Sequence, residues 1–261
     1  MKNTHSDSNM GSNDAALLVE SVSMKYGDFT ALSDVSLKVA CGEVFGFLGP
    51  NGAGKTTTIR LIAGLMKPIE GKISVYGHSM EVSSQKAKQC IGYIPDRPFL
   101  YDKLTGDEYI AFVAGLWSLG TKKALEEVTK YLEGFKIDNV RNQLIEGYSH
   151  GMKQKLVMSA ALVHEPKLLI VDEPTVGLDP ASVLVMKELY REMANSGKAV
   201  FLSTHSLSVA ESVCDRIAII NHGKIIALGT MDELKAQMSK NDHSLEELFL
   251  EITKEDSSVK N

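Results

Sequence analysis

The stretch Gly49-Pro50-Asn51-Gly52-Ala53-Gly54-Lys55-Thr56 has the spacing G-x-x-x-x-G-K-[ST] of a phosphate-binding loop. It follows the apolar run Val44–Leu48 and precedes a helical run at Thr56–Leu65, which is the context that such a loop requires. Glycines let the backbone wrap closely around phosphates, and the helix N-terminus adds a favourable dipole. We predict that the Lys55 ammonium lies between terminal phosphates and that the Thr56 hydroxyl ligates Mg²⁺. A glycine-rich turn that binds nothing is the alternative, and the strand–loop–helix context disfavours it.

Composition limits the classes of protein that this chain can represent. Its 261 residues include 33 Asp and Glu against 28 Lys and Arg, a net charge of −5, with 44% apolar residues. The apolar content excludes disorder of the whole chain, and the acidic balance argues against a nucleic-acid partner. The longest apolar candidate, Tyr109–Leu119, is too short to span a membrane and is predicted to be a buried helix. The polar segment 1–14 is predicted to be a disordered tail without a secretory signal.

Short apolar runs alternate with helical stretches through most of the chain. Continuous apolar runs predict buried parallel strands, and alternating runs predict half-buried strands. The continuous runs are Val44–Leu48, Leu168–Val171 and Ala199–Ser203, and the alternating runs are Leu17–Ser23 and Val35–Ala40. Asn221-His222-Gly223 is a hairpin turn signal between two further strands. The predicted fold is an α/β phosphate-loop NTPase core with a mixed sheet and an N-terminal antiparallel β subdomain.

The middle of the chain lacks strand signals. From about Tyr101 to Val163 helix formers dominate, and Thr105-Gly106-Asp107-Glu108 is predicted to open a helix. We therefore predict an α-helical subdomain at about 97–163, inserted in an ATPase domain that spans 15–253 and precedes a C-terminal tail at 254–261.

The C-terminal part carries two capping-box patterns, Thr230-x-x-Glu233 and Ser244-x-x-Glu247. After the second, an apolar stripe at helical spacing runs along Leu245–Ile252. The stripe is predicted to pack onto the protein itself, with a partner-facing helix as the alternative.

Two carboxylates, Asp172 and Glu173, directly follow the apolar run Leu168–Val171. In a phosphate-loop enzyme the Asp at the end of the strand holds Mg²⁺, usually through water. Glu173 is expected to point the other way along the extended chain, where it can orient or deprotonate an attacking water. Two acids after a strand more often form a turn or a helix N-cap, but the phosphate loop upstream favours the catalytic interpretation.

His205 follows a third apolar run, Ala199–Ser203, so it is predicted to lie on the same edge of the sheet. Ligands of open α/β sheets bind at that edge. His205 can then contact the γ-phosphate or the water, and a structural role is the alternative.

Together these residues resemble the ATP-binding subunits of ABC transporters, over about Leu17 to Leu250. Tyr148-Ser149-His150-Gly151-Met152 stands where the family has its signature L-S-G-G-Q, and Gly177-Leu178-Asp179 matches the family's dimer-contact loop. Tyr26 matches the aromatic residue that stacks on adenine. The resemblance implies ATP and Mg²⁺ as cofactors. The nucleotide-binding residues that it implies are Tyr26, Gly49, Pro50, Asn51, Gly52, Ala53, Gly54, Lys55, Thr56 and Thr57.

The sequence departs from the family pattern at two places. The family usually has Gln where this chain has Asp96, after the predicted strand Ile91–Pro95. An ionised Asp can still approach the metal, so Thr56, Asp172 and Asp96 are the implied metal ligands, but it cannot donate a hydrogen bond. In the signature, His150 replaces Gly and Met152 replaces Gln, and His150 needs room that Gly does not.

The resemblance also implies partners. Ser149 and Gly151 of one chain would contact the γ-phosphate held by Lys55 of a second ATPase subunit, a second copy or a close relative, and Asp179 would lie in the dimer-contact loop. A groove near Asp96 to Asp102 would hold a short helix of a membrane transporter subunit. The chain would then act as a peripheral protein on the cytoplasmic face of the membrane, and the Tyr-Ser-x-Gly-Met pattern favours the exporter branch.

Two other functions remain open from the sequence. One is an ABC-type ATPase without a transport role, in translation or DNA maintenance. It is disfavoured by the single phosphate loop, the lack of a long coiled coil and the acidic balance. The other is a nucleotide-gated regulator that does not hydrolyse ATP, which the altered Asp96 and signature permit but Glu173 and His205 disfavour.

Overall fold

The computed structural model of the protein describes residues 15–97 and 99–239. The predicted tails at 1–14 and 254–261, the Ser244-x-x-Glu247 box and the stripe at Leu245–Ile252 lie outside these ranges. No helix within the described ranges has both the length and the apolar character that a bilayer span needs.

Strands and helices alternate along the described chain. The strands are β1 (Ala15–Tyr26), β2 (Phe29–Ala40), β3 (Val44–Leu48), β4 (Glu70–Val75), β5 (His78–Ser79), β6 (Ile91–Ile94), β7 (Leu168–Asp172), β8 (Ala199–Thr204), β9 (Arg216–Asn221) and β10 (Lys224–Gly229). The helices are α1 (Lys55–Ile62), α2 (Ser84–Gln89), α3 (Gly106–Leu116), α4 (Thr121–Gly134), α5 (His150–Ala161), α6 (Pro180–Asn195), α7 (Leu207–Val213) and α8 (Met231–Ser239).

A mixed six-stranded sheet forms the centre of the fold, in the order β10-β9-β3-β8-β7-β6. Neighbouring strands from β9 to β6 are parallel, and β10 pairs antiparallel with β9. Every residue of β3, β7 and β8 is buried. The prediction of buried parallel strands is therefore confirmed, since helices cover both faces of these apolar runs.

The register of this sheet brings several chain segments to one edge. Leu48 pairs with Thr204, and Asp172 pairs with Ser203. The carboxyl ends of β3, β7 and β8 consequently lie side by side, so the segments that follow them share one space outside the sheet.

A second, four-stranded sheet is antiparallel, with the order β2-β1-β4-β5. Its inner face packs against α1 and the large sheet in one core that includes Leu17, Val19, Ile59 and Phe47. This sheet confirms the predicted antiparallel β subdomain at the N-terminal side.

Between β6 and β7 the described residues form α3, α4, two short 3-10 turns and α5, with no extended strand. α3 begins with the predicted capping box, in which Thr105 and Glu108 bond each other's backbone N–H groups. The prediction that this helix is buried is wrong in part, because Phe112 and Leu116 are 41% and 69% exposed. One face of α3 packs inward and the other presents apolar side chains to the surface.

The predicted hairpin turn between β9 and β10 is confirmed. His222 and Gly223 have φ values of +44° and +74°, the left-handed region that a tight hairpin turn requires at both positions. Thr230 and Glu233 also form the predicted capping box before α8.

Candidate functional site

The phosphate-binding loop joins β3 to α1 through a conformation that needs glycine. Gly52 and Gly54 have φ values of +87° and +110°. A Cβ on Gly54 would also lie 2.9 Å from the Ala31 carbonyl oxygen. The loop therefore turns between β3 and α1 as the glycine spacing predicts.

Lys55 is the first residue of α1, and it is buried, with 6% of its surface exposed to solvent. Its ammonium donates to the carbonyl oxygens of Gly49 at 2.7 Å and Pro50 at 2.9 Å. Glu173 Oε1 lies 3.9 Å from the same nitrogen. Burial lowers the pKa of Lys55, while the carboxylates of Glu173 and Asp172 act in the opposite direction. A compact cation is thus held at the mouth of the loop.

The β9–β10 hairpin contacts the phosphate-binding loop. Gly223 donates its backbone N–H to the carbonyl of Ala53 at 3.0 Å. The loop is also bonded to β8, since Gly49 donates its backbone N–H to Thr204 O at 3.2 Å. Sequence reasoning identified the hairpin but not this contact, because nothing local links the turn to a loop far upstream.

Asp172 is the last residue of β7 and is buried. Ser203 Oγ donates to its Oδ1 at 2.5 Å, and Thr56 Oγ1 donates to its Oδ2 at 3.5 Å. Burial raises the pKa of Asp172, and the hydrogen bond from Ser203 opposes that effect. A carboxylate and a hydroxyl so close together are the hard oxygen donors that Mg²⁺ prefers, so these residues fit the predicted metal site.

Glu173 leaves the strand in an unexpected conformation. The prediction that it continues an extended chain is wrong, because its φ of +51° is in the left-handed region, which is strained for a residue other than glycine. Thr204 Oγ1 donates to Oε2 at 3.4 Å, and His205 Nδ1 lies 2.9 Å from Oε1.

A cavity of about 310 Å³ joins these groups. Its walls include Asn51, Gly52, Gly54, Lys55, Thr56, Thr57, Asp96, Asp172 and Glu173. Asp96, the departure from the family pattern, therefore faces the same space as Lys55 and Glu173. Phe29 also lines the cavity, and sequence reasoning missed this exposed ring.

Tyr26, the predicted adenine-stacking residue, is not among the residues that line this cavity. It ends β1, directly across the hairpin from Phe29, and its hydroxyl contacts Met66 Sδ at 3.3 Å. Its stacking role stays a prediction, and the neighbouring Phe29 is the aromatic ring that lines the cavity.

The signature segment lies apart from the cavity of its own chain. Ser149 is the N-cap of α5, and its hydroxyl oxygen accepts from Met152 N at 3.2 Å. A hydroxyl that accepts there still has its own O–H to donate. The His150 ring packs against Gly177, which has no side chain. A Cβ added at Gly177 would overlap the imidazole carbon Cδ2 and would lie 2.9 Å from Nε2.

Asp179 is the N-cap of α6 within this chain. Its carboxylate accepts from Lys155 Nζ at 2.8 Å and from Ser182 N at 2.9 Å. These donors, Lys155 first, hold the pKa of Asp179 well below its usual range. The ion pair ties α5 to the predicted dimer-contact loop, a link that sequence reasoning missed.

A second hollow of about 340 Å³, here called the subdomain groove, lies between the sheet core and the inserted helices. Lys88, Ile91 and Tyr93 line it from the core side. Tyr109 and Trp117 line it from the helical side. The Trp117 ring stacks on His164 with ring centroids 3.8 Å apart, and the exposed Leu65 stands at the rim.

Comparison with known proteins gives a consistent picture. Residues 32–176 match the family described as ABC transporter. The chain is 37% identical over 234 residues to the probable multidrug ABC transporter ATP-binding protein YbhF of Escherichia coli (strain K12), and the match covers 87% of this chain. The chain spans 40% of the length of YbhF.

A relative of similar length is the ABC-type transporter ATP-binding protein EcsA of Bacillus subtilis (strain 168). It is 35% identical over 241 residues, which cover 92% of this chain and 98% of EcsA. Among solved structures, the ATP binding subunit of an ABC transporter superposes with a TM-score of 0.84 at 35% identity, covering 91% of this chain and 99% of that chain.

Proposed function

Since this chain belongs to the ABC transporter family of ATP-binding proteins, we propose that it binds and hydrolyses ATP and thereby drives a separate membrane-spanning transporter subunit. One observation carries the proposal. The ammonium of Lys55 and the carboxylates of Asp172 and Glu173 face a single cavity at the carboxyl edge of the sheet, and His205 contacts Glu173.

The phosphate loop supports binding of the nucleotide's phosphates. Asn51, Gly52 and Gly54 of the loop supply backbone N–H donors, and the dipole of α1 favours an anion at its N-terminus. Lys55 adds a positive charge that is already desolvated, so its attraction to a phosphate is stronger than that of an exposed lysine. Thr57 follows on α1 and lines the cavity.

The same cavity supports a Mg²⁺ site. Thr56 and Asp172 would hold the ion, and Asp96 faces them across the cavity. When bound, Mg²⁺ neutralises charge on the phosphate oxygens. The Asp96 carboxylate keeps an oxygen available but supplies no hydrogen-bond donor while it is ionised.

Glu173 is the proposed general base for the attacking water. Its carboxylate is held on one side by Thr204 Oγ1 and on the other by His205 Nδ1, so its orientation is fixed before the nucleotide enters. A positioned base of this kind contributes about 10²- to 10⁴-fold to a rate. His205, which is mostly exposed, orients Glu173 and can reach the γ-phosphate side of the cavity.

A second copy of the chain is proposed to complete each site. Ser149 and Gly151 do not line the cavity that contains Lys55 of the same chain. Both are at the N-terminus of α5, whose dipole and free Ser149 O–H suit a phosphate. Two chains arranged head to tail would place these groups against the partner's ATP, with Asp179 in the contact loop. Hydrolysis would remove those contacts and open the dimer.

The subdomain groove is the proposed docking site for a short helix of the membrane subunit. Its described lining does not include the stretch Asp96 to Asp102, near which the sequence placed this groove. Apart from Lys88 and His164 its lining is apolar or aromatic, and the exposed Leu65 is part of it. A contiguous exposed apolar patch at a groove is typical of an interaction surface. The groove lies between the core and the inserted helices, so relative movement of the two would be transmitted to a helix held there.

We further propose that the complex exports its substrate and that this chain works on the cytoplasmic face of the membrane. The supporting observations are the relative YbhF, which is named as a probable multidrug transporter component, and the Tyr148–Met152 signature of the exporter type. A nucleic-acid partner is not proposed, because the net charge of −5 offers no general attraction to phosphate backbones.

Steady-state ATP turnover by the purified chain tests the proposal. Wild type should hydrolyse Mg-ATP slowly, and Glu173→Gln should lose at least about 100-fold in kcat while it retains ATP binding. Glu188→Gln, at an exposed position on α6, is the matched control and should behave as wild type. Wild type that binds ATP without turnover would indicate the regulator instead, and full activity in Glu173→Gln would overturn the assignment of the base.

A further inference from the structure

A third hollow, here called the basic cavity, lies behind the phosphate-binding helix and shares no described lining residue with the nucleotide cavity. The turn after α1, strands β4 and β5, and helix α2 enclose about 290 Å³. Lys67, Lys72 and Lys88 line it, together with Met66 and Met80. We propose that this cavity binds the phosphate group of an anionic membrane lipid.

The charge of the cavity is unbalanced. Within the described part of the chain, no carboxylate lies within 4 Å of the ammonium groups of Lys67, Lys72 or Lys88. Among the described residues that line the cavity, Glu81 is the one that is acidic. Residues 60–90 contain five Lys and Arg against two Glu, a surplus of three positive charges in a chain of net charge −5. Bringing such cations together costs free energy that a bound anion recovers.

The walls of the basic cavity are apolar as well as basic. A Cβ on Gly64 would lie 2.6 Å from Lys88 Cε and would overlap the terminal methyl of Met80, so both side chains rest on bare backbone. Ile69 lines the cavity and is exposed, as are Leu65 and Val82 close by. Ammonium groups set among apolar side chains suit an amphipathic anion, with its phosphate on the lysines and its carbon chain against the methionines and isoleucine.

The position of the cavity favours a lipid as the source of that phosphate. Lys88 lines both the basic cavity and the subdomain groove, so the two hollows adjoin. This step rests on the proposed function, in which a membrane subunit occupies the subdomain groove. The basic cavity then lies beside that subunit, on the face turned towards the bilayer. Residues outside 60–90 carry a surplus of negative charge, which favours an orientation with this cavity towards an anionic membrane.

Vesicle sedimentation with the purified chain, without nucleotide, tests this proposal directly. One arm uses phosphatidylcholine vesicles with 30 mol% phosphatidylglycerol, and a second uses phosphatidylcholine alone. Wild type should be retained in the first arm only. Lys67→Ala with Lys72→Ala should weaken retention about 25-fold, since each lysine near an anionic surface contributes about five-fold.

Lys136→Ala with Lys224→Ala is the matched control. These lysines are also exposed and also lack a carboxylate within 4 Å in the described ranges, but they lie outside the basic cavity. The control should bind vesicles as wild type does. An equal loss in both double variants, or no retention of wild type, would overturn the proposal. Binding of inorganic phosphate at this cavity without retention on vesicles would overturn the assignment to a lipid.

ATP turnover separates this proposal from the proposed function. The Lys67→Ala, Lys72→Ala variant should hydrolyse ATP at the wild-type rate, and Glu173→Gln should bind vesicles as wild type does. Loss of vesicle binding with normal turnover therefore concerns the basic cavity, whereas absence of turnover with normal vesicle binding concerns the nucleotide site.

Discussion

Nδ1 of His205 lies 2.9 Å from Oε1 of Glu173, although the two residues are 32 positions apart and follow different strands. Parallel pairing of β7 with β8 brings them together, since Asp172 and Ser203 are register partners. The left-handed turn at Glu173 then aims its carboxylate at the imidazole. The proposed base is thus oriented by a contact that depends on the sheet.

His205→Ala should lower kcat by about 10²- to 10³-fold and leave ATP affinity unchanged, because the carboxylate loses one of its two orienting partners. Turnover and equilibrium binding of a fluorescent ATP analogue measure the two quantities separately. His78→Gln, on the small sheet, is the control. A change in affinity with unchanged kcat would contradict an orienting role.

Lys55→Arg should bind ATP at least about 100-fold more weakly than wild type, although the charge is retained. The buried ammonium fits between the carbonyls of Gly49 and Pro50, and a planar guanidinium is larger and directional. Isothermal titration with ATP measures the effect, with Lys224→Arg as the control. Wild-type affinity in Lys55→Arg would show that charge alone suffices.

Asp172→Asn should increase stability at pH 7 by about 1 kcal/mol while it abolishes Mg²⁺-dependent turnover. Burial raises the folded-state pKa of Asp172 above the ordinary value of 3.8, so the folded protein binds this proton more tightly than the unfolded chain. Stability contributed by Asp172 is therefore greatest below pH 3.8 and is lost as the pH rises through the raised pKa. Thermal unfolding at pH 4 and at pH 7 measures this effect. Between pH 4 and pH 7 the variant should lose less stability than wild type, because it lacks the Asp172 contribution that wild type loses as the pH rises.

The exposed Asp28→Asn is the control for this comparison, and its unfolding curves should follow those of wild type. An Asp172→Asn protein that is less stable than wild type at pH 7 would mean that the hydrogen bond from Ser203 outweighs the cost of burying the charge.

Gly177→Ala should lower the free energy of unfolding by about 2–4 kcal/mol, because the added methyl both meets the His150 ring and strains a φ of +78°. Adding His150→Gly should relieve the overlap and leave the backbone strain. Gly197→Ala isolates that strain, since Gly197 has a φ of +80° and nothing within 4 Å of an added Cβ.

Urea unfolding of the two single variants, the double variant and Gly197→Ala completes the cycle. The double variant should be more stable than the sum of the two single losses predicts, by at least about 1 kcal/mol. Additive losses would show that the His150 ring can move away at no cost.

Features that depend on neighbouring residues in the chain were predictable from the sequence. Local patterns specify one backbone conformation each at the phosphate loop, at the hairpin Asn221-His222-Gly223 and at the capping box that begins with Thr105. The positions of Asp172 and His205 at one sheet edge followed from two buried runs that end in polar residues.

The remaining features depend on tertiary contacts. Glu173 adopts a left-handed turn in place of the expected extended chain, while its backbone N–H still bonds Ser203 O across the sheet at 3.0 Å. Phe29 reaches the nucleotide cavity only because β1 and β2 form a tight hairpin, and Lys155 meets Asp179 only once α5 lies beside α6. These tertiary contacts leave no periodic pattern in the sequence from which they could be predicted.

In the proposed dimer, each ATP is hydrolysed between Lys55 of one copy and the signature of another. Mixing Lys55→Ala chains with Ser149→Ala chains tests it most directly. Each mixed dimer would contain one intact site, so an equimolar mixture should recover about a quarter of the wild-type turnover if the two sites work independently. A mixture that is no more active than either variant alone would contradict the claim.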